Sequence, residues 1–193
     1  MKTMILLTYQ NENAGTRAGV KAGDVIVDLT ELLECKEVIE DVKMLMEIYP
    51  DAVSRIQKAL DCLDEKSDVH KFQADTAKLC TPVLHPTTLR DSCMFEVHSN
   101  NAGAESDLKT PPLWYERPIF YYQNPNSLSG PEAEVKRKVG DTTLDYEAEV
   151  AFVVGKKGFS VKAEDAEEYI LGLTIFNDWS DRALCIKESG FLG

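Results

Sequence analysis

An α+β, β-rich chain is predicted by three features of the sequence. Apolar runs of strand type occur at Thr3–Tyr9, Ala148–Val154 and Leu173–Phe176. Apolar residues at helical spacing gather between Thr30 and Leu63, and turn formers fill much of the remainder. The 193 residues allow one substantial core or two modest domains, and an apolar content of 44% is that of a globular protein. A net charge of −12 and a pI near 4.7 argue against nucleic acid as a partner, because backbone phosphates need a surplus of Lys and Arg. No apolar run is long enough to span a bilayer, and the N-terminus lacks the long apolar region and cleavage site of a secretory signal. No membrane partner is therefore expected, and the expected location is cytoplasmic, or an organelle reached by a removed signal. Five cysteines, at 35, 62, 80, 93 and 185, show no C-x-x-C spacing, which points to reduced, mostly buried thiols rather than a disulfide or zinc framework.

Taken in order, Thr3–Tyr9, Arg17–Val20 and Val25–Asp28 form a small antiparallel meander, turned by Gly-containing connections. From Thr30 the period becomes helical through Leu32, Leu33, Val38, Ile39, Val42, Leu45, Met46 and Tyr49, and Pro50 stops that helix. Asp51 starts a second, with Val53, Ile56, Ala59, Leu60 and Leu63 on one face. After the charged break at 64–68, Lys78–Leu84 reads as a strand leading out of a first domain. The expected domains are thus 1–78 and 79–193. Beyond the boundary come a strand at Ile119–Tyr122, the turn-forming loop Asn124–Pro131, and the strand from Leu144. Ala163–Leu171 reads as a short helix, acidic in its first turn and closed by Gly172, and Leu173–Phe176 as a strand delivering Asn177–Arg182.

The strand from Leu144 carries the first chemical signal. Side chains alternate along a strand, so Glu147 and Glu149 share a face opposite Tyr146, Ala148 and Val150. The apolar residues around them predict a strand largely covered on both sides, where two like charges repel and lose hydration. Three answers are open: the face meets solvent, the pair shares a proton, or a hard cation lies between the oxygens. A cation needs further oxygen ligands, for which Asp178 and Asp91 are candidates, and His98, seven residues after Asp91, is a candidate base. Cys93 and Cys185 carry no sign of a nucleophile and read as small hydrophobic residues.

These segments occur in a telling order. Arg90-Asp91 with Phe95-Glu96-Val97-His98, Trp114–Pro118, Asn124-Pro125-Asn126 with Gly130-Pro131, Leu144–Glu149 and Thr174–Ser180 together resemble the fumarylacetoacetate hydrolase family. The resemblance runs from about Leu79 to the end and implies a catalytic domain of rolled mixed β-sheet, preceded by a small N-terminal α+β domain, usually in a homodimer. It implies Mg²⁺ or Ca²⁺ held by Glu147, Glu149, Asp178 and Asp91, with His98 as the catalytic residue that activates water.

The implied reaction is hydrolysis of a carbon–carbon bond in a 2-oxo or 1,3-dicarbonyl acid, such as an acylpyruvate, through a metal-bound enolate. Decarboxylases, isomerases and hydratases share the scaffold, and a truncated, non-catalytic metal-binding homologue is a further alternative. The sequence departs from the family pattern after Ser180: Asp181-Arg182-Ala183-Leu184-Cys185 keeps the arginine but has Ala183 for a usual Asp and Cys185 for a usual Gln. The family domain also continues past the position of Gly193, so the catalytic domain is expected to be C-terminally incomplete.

Overall fold

The computed structural model describes residues 3–13, 15–63, 68–104, 110–137, 140 and 143–188. It divides into two units, residues 1–84 with 129–192, and residues 85–128. The first unit begins with the predicted meander: β1 (Ile5–Asn11), β2 (Gly15–Ala22) and β3 (Val25–Asp28) pair antiparallel. Gly23, at φ 63°, takes the left-handed conformation that the tight β2–β3 turn requires. A short strand that the sequence did not suggest, β4 (Lys71–Gln73), completes the sheet beside β3.

The single helix predicted from Thr30 to Tyr49 is instead two, α1 (Leu29–Leu32) and α2 (Val42–Ile48). Glu34, at φ 50°, follows the end of α1 in a conformation no helix continues. The backbone of Ile39 is then taken up elsewhere: its amide donates to Thr30 Oγ1 at 2.9 Å and its carbonyl accepts from the Ala18 amide at 2.7 Å. Ile39 is fully buried, so the apolar spacing was a burial signal without being a helix. Asp41 restarts the helix by accepting the Met44 amide at 2.8 Å. The helix expected after Pro50 is α3 (Ala52–Asp61), whose Ala52 and Ile56 join Val20, Val27, Leu29 and Leu45 in the core.

Lys78–Leu84 is not a strand. It makes a single bridge, Leu79 to Tyr9, because Pro82 has no amide to extend a ladder. The Pro82 carbonyl accepts instead from Thr8 Oγ1 at 2.7 Å and the Val42 amide at 3.2 Å.

Thr8, Asp28, Thr30 and Asp41 are the buried polar residues among those described. Asp28 is fully buried and accepts Arg17 Nε at 2.5 Å, an Arg17 terminal nitrogen at 3.0 Å, Tyr9 Oη at 2.6 Å and the Glu31 amide at 3.1 Å. Burial by itself would raise its pKa; the bonds from Arg17, Tyr9 and the Glu31 amide outweigh that and hold the carboxyl below its ordinary range. Burial, followed by the bond to Asp28, pushes the Tyr9 hydroxyl well above its usual value.

The second unit contains β5 (Leu89–Asp91) and β6 (Tyr121–Gln123), an antiparallel pair, with α4 (Glu96–Ala104) and α5 (Pro112–Glu116) between them in sequence. Trp114 Nε1 donates to the Cys93 carbonyl at 2.7 Å and Tyr115 Oη to Glu96 Oε1 at 2.7 Å, which ties α5 to the start of α4.

Returning to the first unit, β7 (Leu144–Val154) and β8 (Ile170–Asp181) form a long antiparallel pair, followed by α6 (Arg182–Glu188). The acidic segment Ala163–Tyr169 is 3₁₀ rather than α-helical, and Gly172 lies inside β8 rather than closing a helix. Nor, among the described residues, is β7 covered on both sides. Tyr146, Val150, Phe152 and Ile175 are 62%, 58%, 62% and 85% exposed on one face of the two-stranded sheet that β7 forms with β8.

Replacing the buried carboxylate, Asp28→Asn, removes the nearest counter-charge of Arg17, leaving the more exposed Glu31 at 3.9 Å, and is expected to cost about 3 kcal/mol in urea denaturation at pH 7. Because the folded carboxyl has a lowered pKa, its stabilisation is complete above the ordinary carboxylate range and is lost as pH falls through the lowered value. The gap between parent and variant should therefore narrow in strong acid.

Candidate metal centre

Strand register decides which carboxylates meet. In the β7–β8 pair Glu147 stands opposite Asp178 and Glu149 opposite Phe176, so Glu147, Glu149 and Asp178 share one face. All three are half-buried, while the neighbouring even-numbered positions of β7 are exposed, the alternation expected from the sequence. One carboxylate oxygen of Glu149 and one of Asp178 lie within 4.8 Å of each other. Asp178 belongs to the strand itself and not to the loop that the sequence suggested.

Two oxygens bound to one cation at 2.0–2.6 Å each are separated by no more than about 5 Å, so the Glu149–Asp178 pair fits a shared divalent ion. Carboxylate oxygens are also the donors that Mg²⁺, Ca²⁺ and Mn²⁺ prefer.

Glu147 is held differently. Its Oε1 forms an ion pair with the Arg182 guanidinium, which also donates to Asp145 Oδ2, at 3.1 Å from Nε and 3.0 Å from a terminal nitrogen. The bond to Glu147 is the main reason the Arg182 pKa is raised. Arg182 is aimed there by the start of α6, where Asp181 Oδ1 accepts Thr143 Oγ1 at 2.6 Å and the Leu184 amide at 3.1 Å. Those bonds, the Thr143 hydroxyl first, keep the Asp181 carboxyl below its ordinary range. The arginine kept from the family pattern thus balances two of the three acidic residues on its side of β7, a role that its sequence position alone does not disclose.

Asp91 lies in the other unit, at the end of β5 opposite Tyr121 of β6. Its Oδ2 accepts Tyr121 Oη at 2.8 Å and Gln123 Nε2 at 3.0 Å. The adjacent Arg90 stacks on Phe120 and Tyr122, 4.8 Å and 5.1 Å from the ring centres. His98, in the first turn of α4, is exposed. Of two further carboxylates near it in sequence, Glu96 bonds Tyr115, and Glu105 is outside the described residues.

The cysteines differ from expectation. Cys62, Cys93 and Cys185 are exposed, and Cys35 and Cys80 half-buried, so the thiols are not mostly buried. Burial pushes the Cys80 thiol up, away from nucleophilic use. Among the described residues no helix is long and apolar enough to cross a membrane.

Residues 90–192 match the fumarylacetoacetate hydrolase C-terminal family. The chain is 26% identical over 194 residues to the mitochondrial oxaloacetate tautomerase fahd2 of Xenopus laevis, covering 97% of this chain and 56% of that protein. It is 35% identical over 124 residues to the oxaloacetate tautomerase YisK of Bacillus subtilis, covering 62% of this chain and 39% of the relative. Its fold resembles that of a maleylpyruvate hydrolase from Sphingobium sp. SYK-6, solved with manganese(II) ion and pyruvate, at a TM-score of 0.62 and 20% identity. That match covers 92% of this chain and 60% of the other. The chain therefore spans roughly two fifths to three fifths of these proteins' lengths. The α+β, β-rich architecture predicted from the sequence is the one observed, and with more than half of its residues matched by the family domain, the chain belongs to the fumarylacetoacetate hydrolase family.

Proposed function

We propose that this chain carries a divalent-cation-dependent site for enol–keto chemistry on a 2-oxo dicarboxylic acid, with oxaloacetate as its first substrate. The observation that carries the reading is the approach of Glu149 and Asp178 to within 4.8 Å on one strand-pair face. The identity to two oxaloacetate tautomerases supports the substrate class. In this reading Glu149 and Asp178 would hold the ion, together with Glu147 and Asp91. Mg²⁺, Ca²⁺ or Mn²⁺ would supply Lewis acidity that polarises the 2-oxo carbonyl.

The chain's own residues do the rest. Arg182 holds Glu147 and Asp145 by ion pairs and offsets the repulsion between them on the acidic face. His98, open to solvent on α4, takes or returns a proton at an imidazole nitrogen.

Hydrolysis of a carbon–carbon bond in an acylpyruvate is the second reading, favoured by the position of His98 seven residues after Asp91, where it would remove the proton of attacking water. A homodimer is proposed with either reading, because the bare apolar face of β7 and β8 needs cover. A cytoplasmic location suits five free thiols, which stay reduced there.

The test follows the decay of the enol of oxaloacetate by ultraviolet absorbance, with and without Mg²⁺ or Mn²⁺. Faster decay only with the ion is expected, and Glu149→Gln or Asp178→Asn should lower kcat/KM by about 100-fold. Mn²⁺ binding without turnover of oxaloacetate or an acylpyruvate would instead identify a non-catalytic homologue. If the hydrolytic reading holds, His98→Asn should slow acylpyruvate cleavage by about 10²–10⁴-fold while leaving Mn²⁺ affinity intact.

A further inference from the structure

We propose that Tyr121 and Gln123 are positioning residues that present Asp91 to a divalent cation. The inference rests on the reading of Asp91 as a cation ligand. A carboxylate on a three-residue strand can turn about two side-chain torsions, and a ligand that turns loses affinity to the entropy of being fixed. Asp91 is denied that freedom from one side only. Tyr121 Oη, at 2.8 Å, and Gln123 Nε2, at 3.0 Å, both end on Oδ2, and among the described residues no hydrogen bond ends on Oδ1.

The two donors come from the same strand for a reason of register. Tyr121 is the direct antiparallel partner of Asp91, and Gln123, two residues on, shares its face of β6. A contact of 3.5 Å between Gln123 Nε2 and Tyr121 Oη brings the two donors together above one oxygen. Arg90 is drawn the other way, over the rings of Phe120 and Tyr122, so its charge is not spent on its neighbour Asp91. Both donors to Asp91 are neutral. They fix the carboxylate without cancelling the negative charge that a cation needs, whereas an arginine at the same place would compete with the ion.

The experiment titrates the full chain with Mn²⁺ alone, reading free ion by its electron paramagnetic resonance signal, and records the melting temperature of the metal-free protein alongside. Tyr121→Phe and Gln123→Leu should each weaken Mn²⁺ binding about tenfold, and the double variant by more, with the metal-free melting temperature held within about 2 °C. Asp91→Asn separates the two ideas. If it leaves Mn²⁺ affinity unchanged, Asp91 is not a ligand and the underlying reading fails. If it weakens binding while Tyr121→Phe and Gln123→Leu do not, the ligand stands and the positioning role is overturned. A fall in melting temperature with unchanged affinity would likewise overturn it, by showing that the two bonds only join β5 to β6.

Discussion

Everything proposed for this chain depends on the antiparallel register of β7 and β8. Strands place side chains on alternate faces, so a pairing that sets Glu147 against Asp178 also commits Glu149 to the same side and exposes Tyr146, Val150 and Phe152 on the other. Like charges directly across a sheet are unfavourable unless other charges answer them. Arg182 answers for Glu147 and Asp145. A divalent ion is the physical answer proposed for Glu149 and Asp178.

The N-terminal sheet handles buried charge by the opposite means. Asp28 is buried without any ion, because Arg17, Tyr9 and the Glu31 amide saturate both of its oxygens. That arrangement is closed: the carboxylate is fully satisfied, which suits an anchor and disqualifies a ligand. Asp91 shows the contrast, with two neutral donors on one oxygen only.

Much of this was legible in the residues. The meander, the second helix and the alternation along β7 follow from periods of two and 3.6, and the motifs alone relate Glu147 and Glu149 to Asp178. What escaped the sequence has identifiable causes. The spacing at Ile39 imitates a helix because it reports burial, while the Ile39 backbone is bonded to Thr30 and Ala18 rather than within a helix. The length of β8 was hidden by Gly172 and by the turn-forming residues Asn177 and Asp178, whose local preference the long ladder to β7 overrides. The grip of Arg182 on Glu147 spans 35 positions, and Asp91 meets Tyr121 and Gln123 across 30 and 32, separations at which no local pattern speaks.

The ladder between β7 and β8 is interrupted once, by an irregularity at Val153 and Val154, beside Gly155, where an added Cβ would come within 2.7 Å of the Leu171 side chain. This end of the hairpin acts as a phase setter for the acidic face some six residues away. Length changes in the connection from Lys156 to Tyr169 leave the phase alone, since that segment lies outside the ladder. A single residue gained or lost between Gly172 and Asp178 would turn Asp178 to the apolar side and separate it from Glu149. Natural variation in such a chain should thus accumulate insertions in the acidic connection and avoid them along the strand, a constraint on length that acts independently of which side chains are kept.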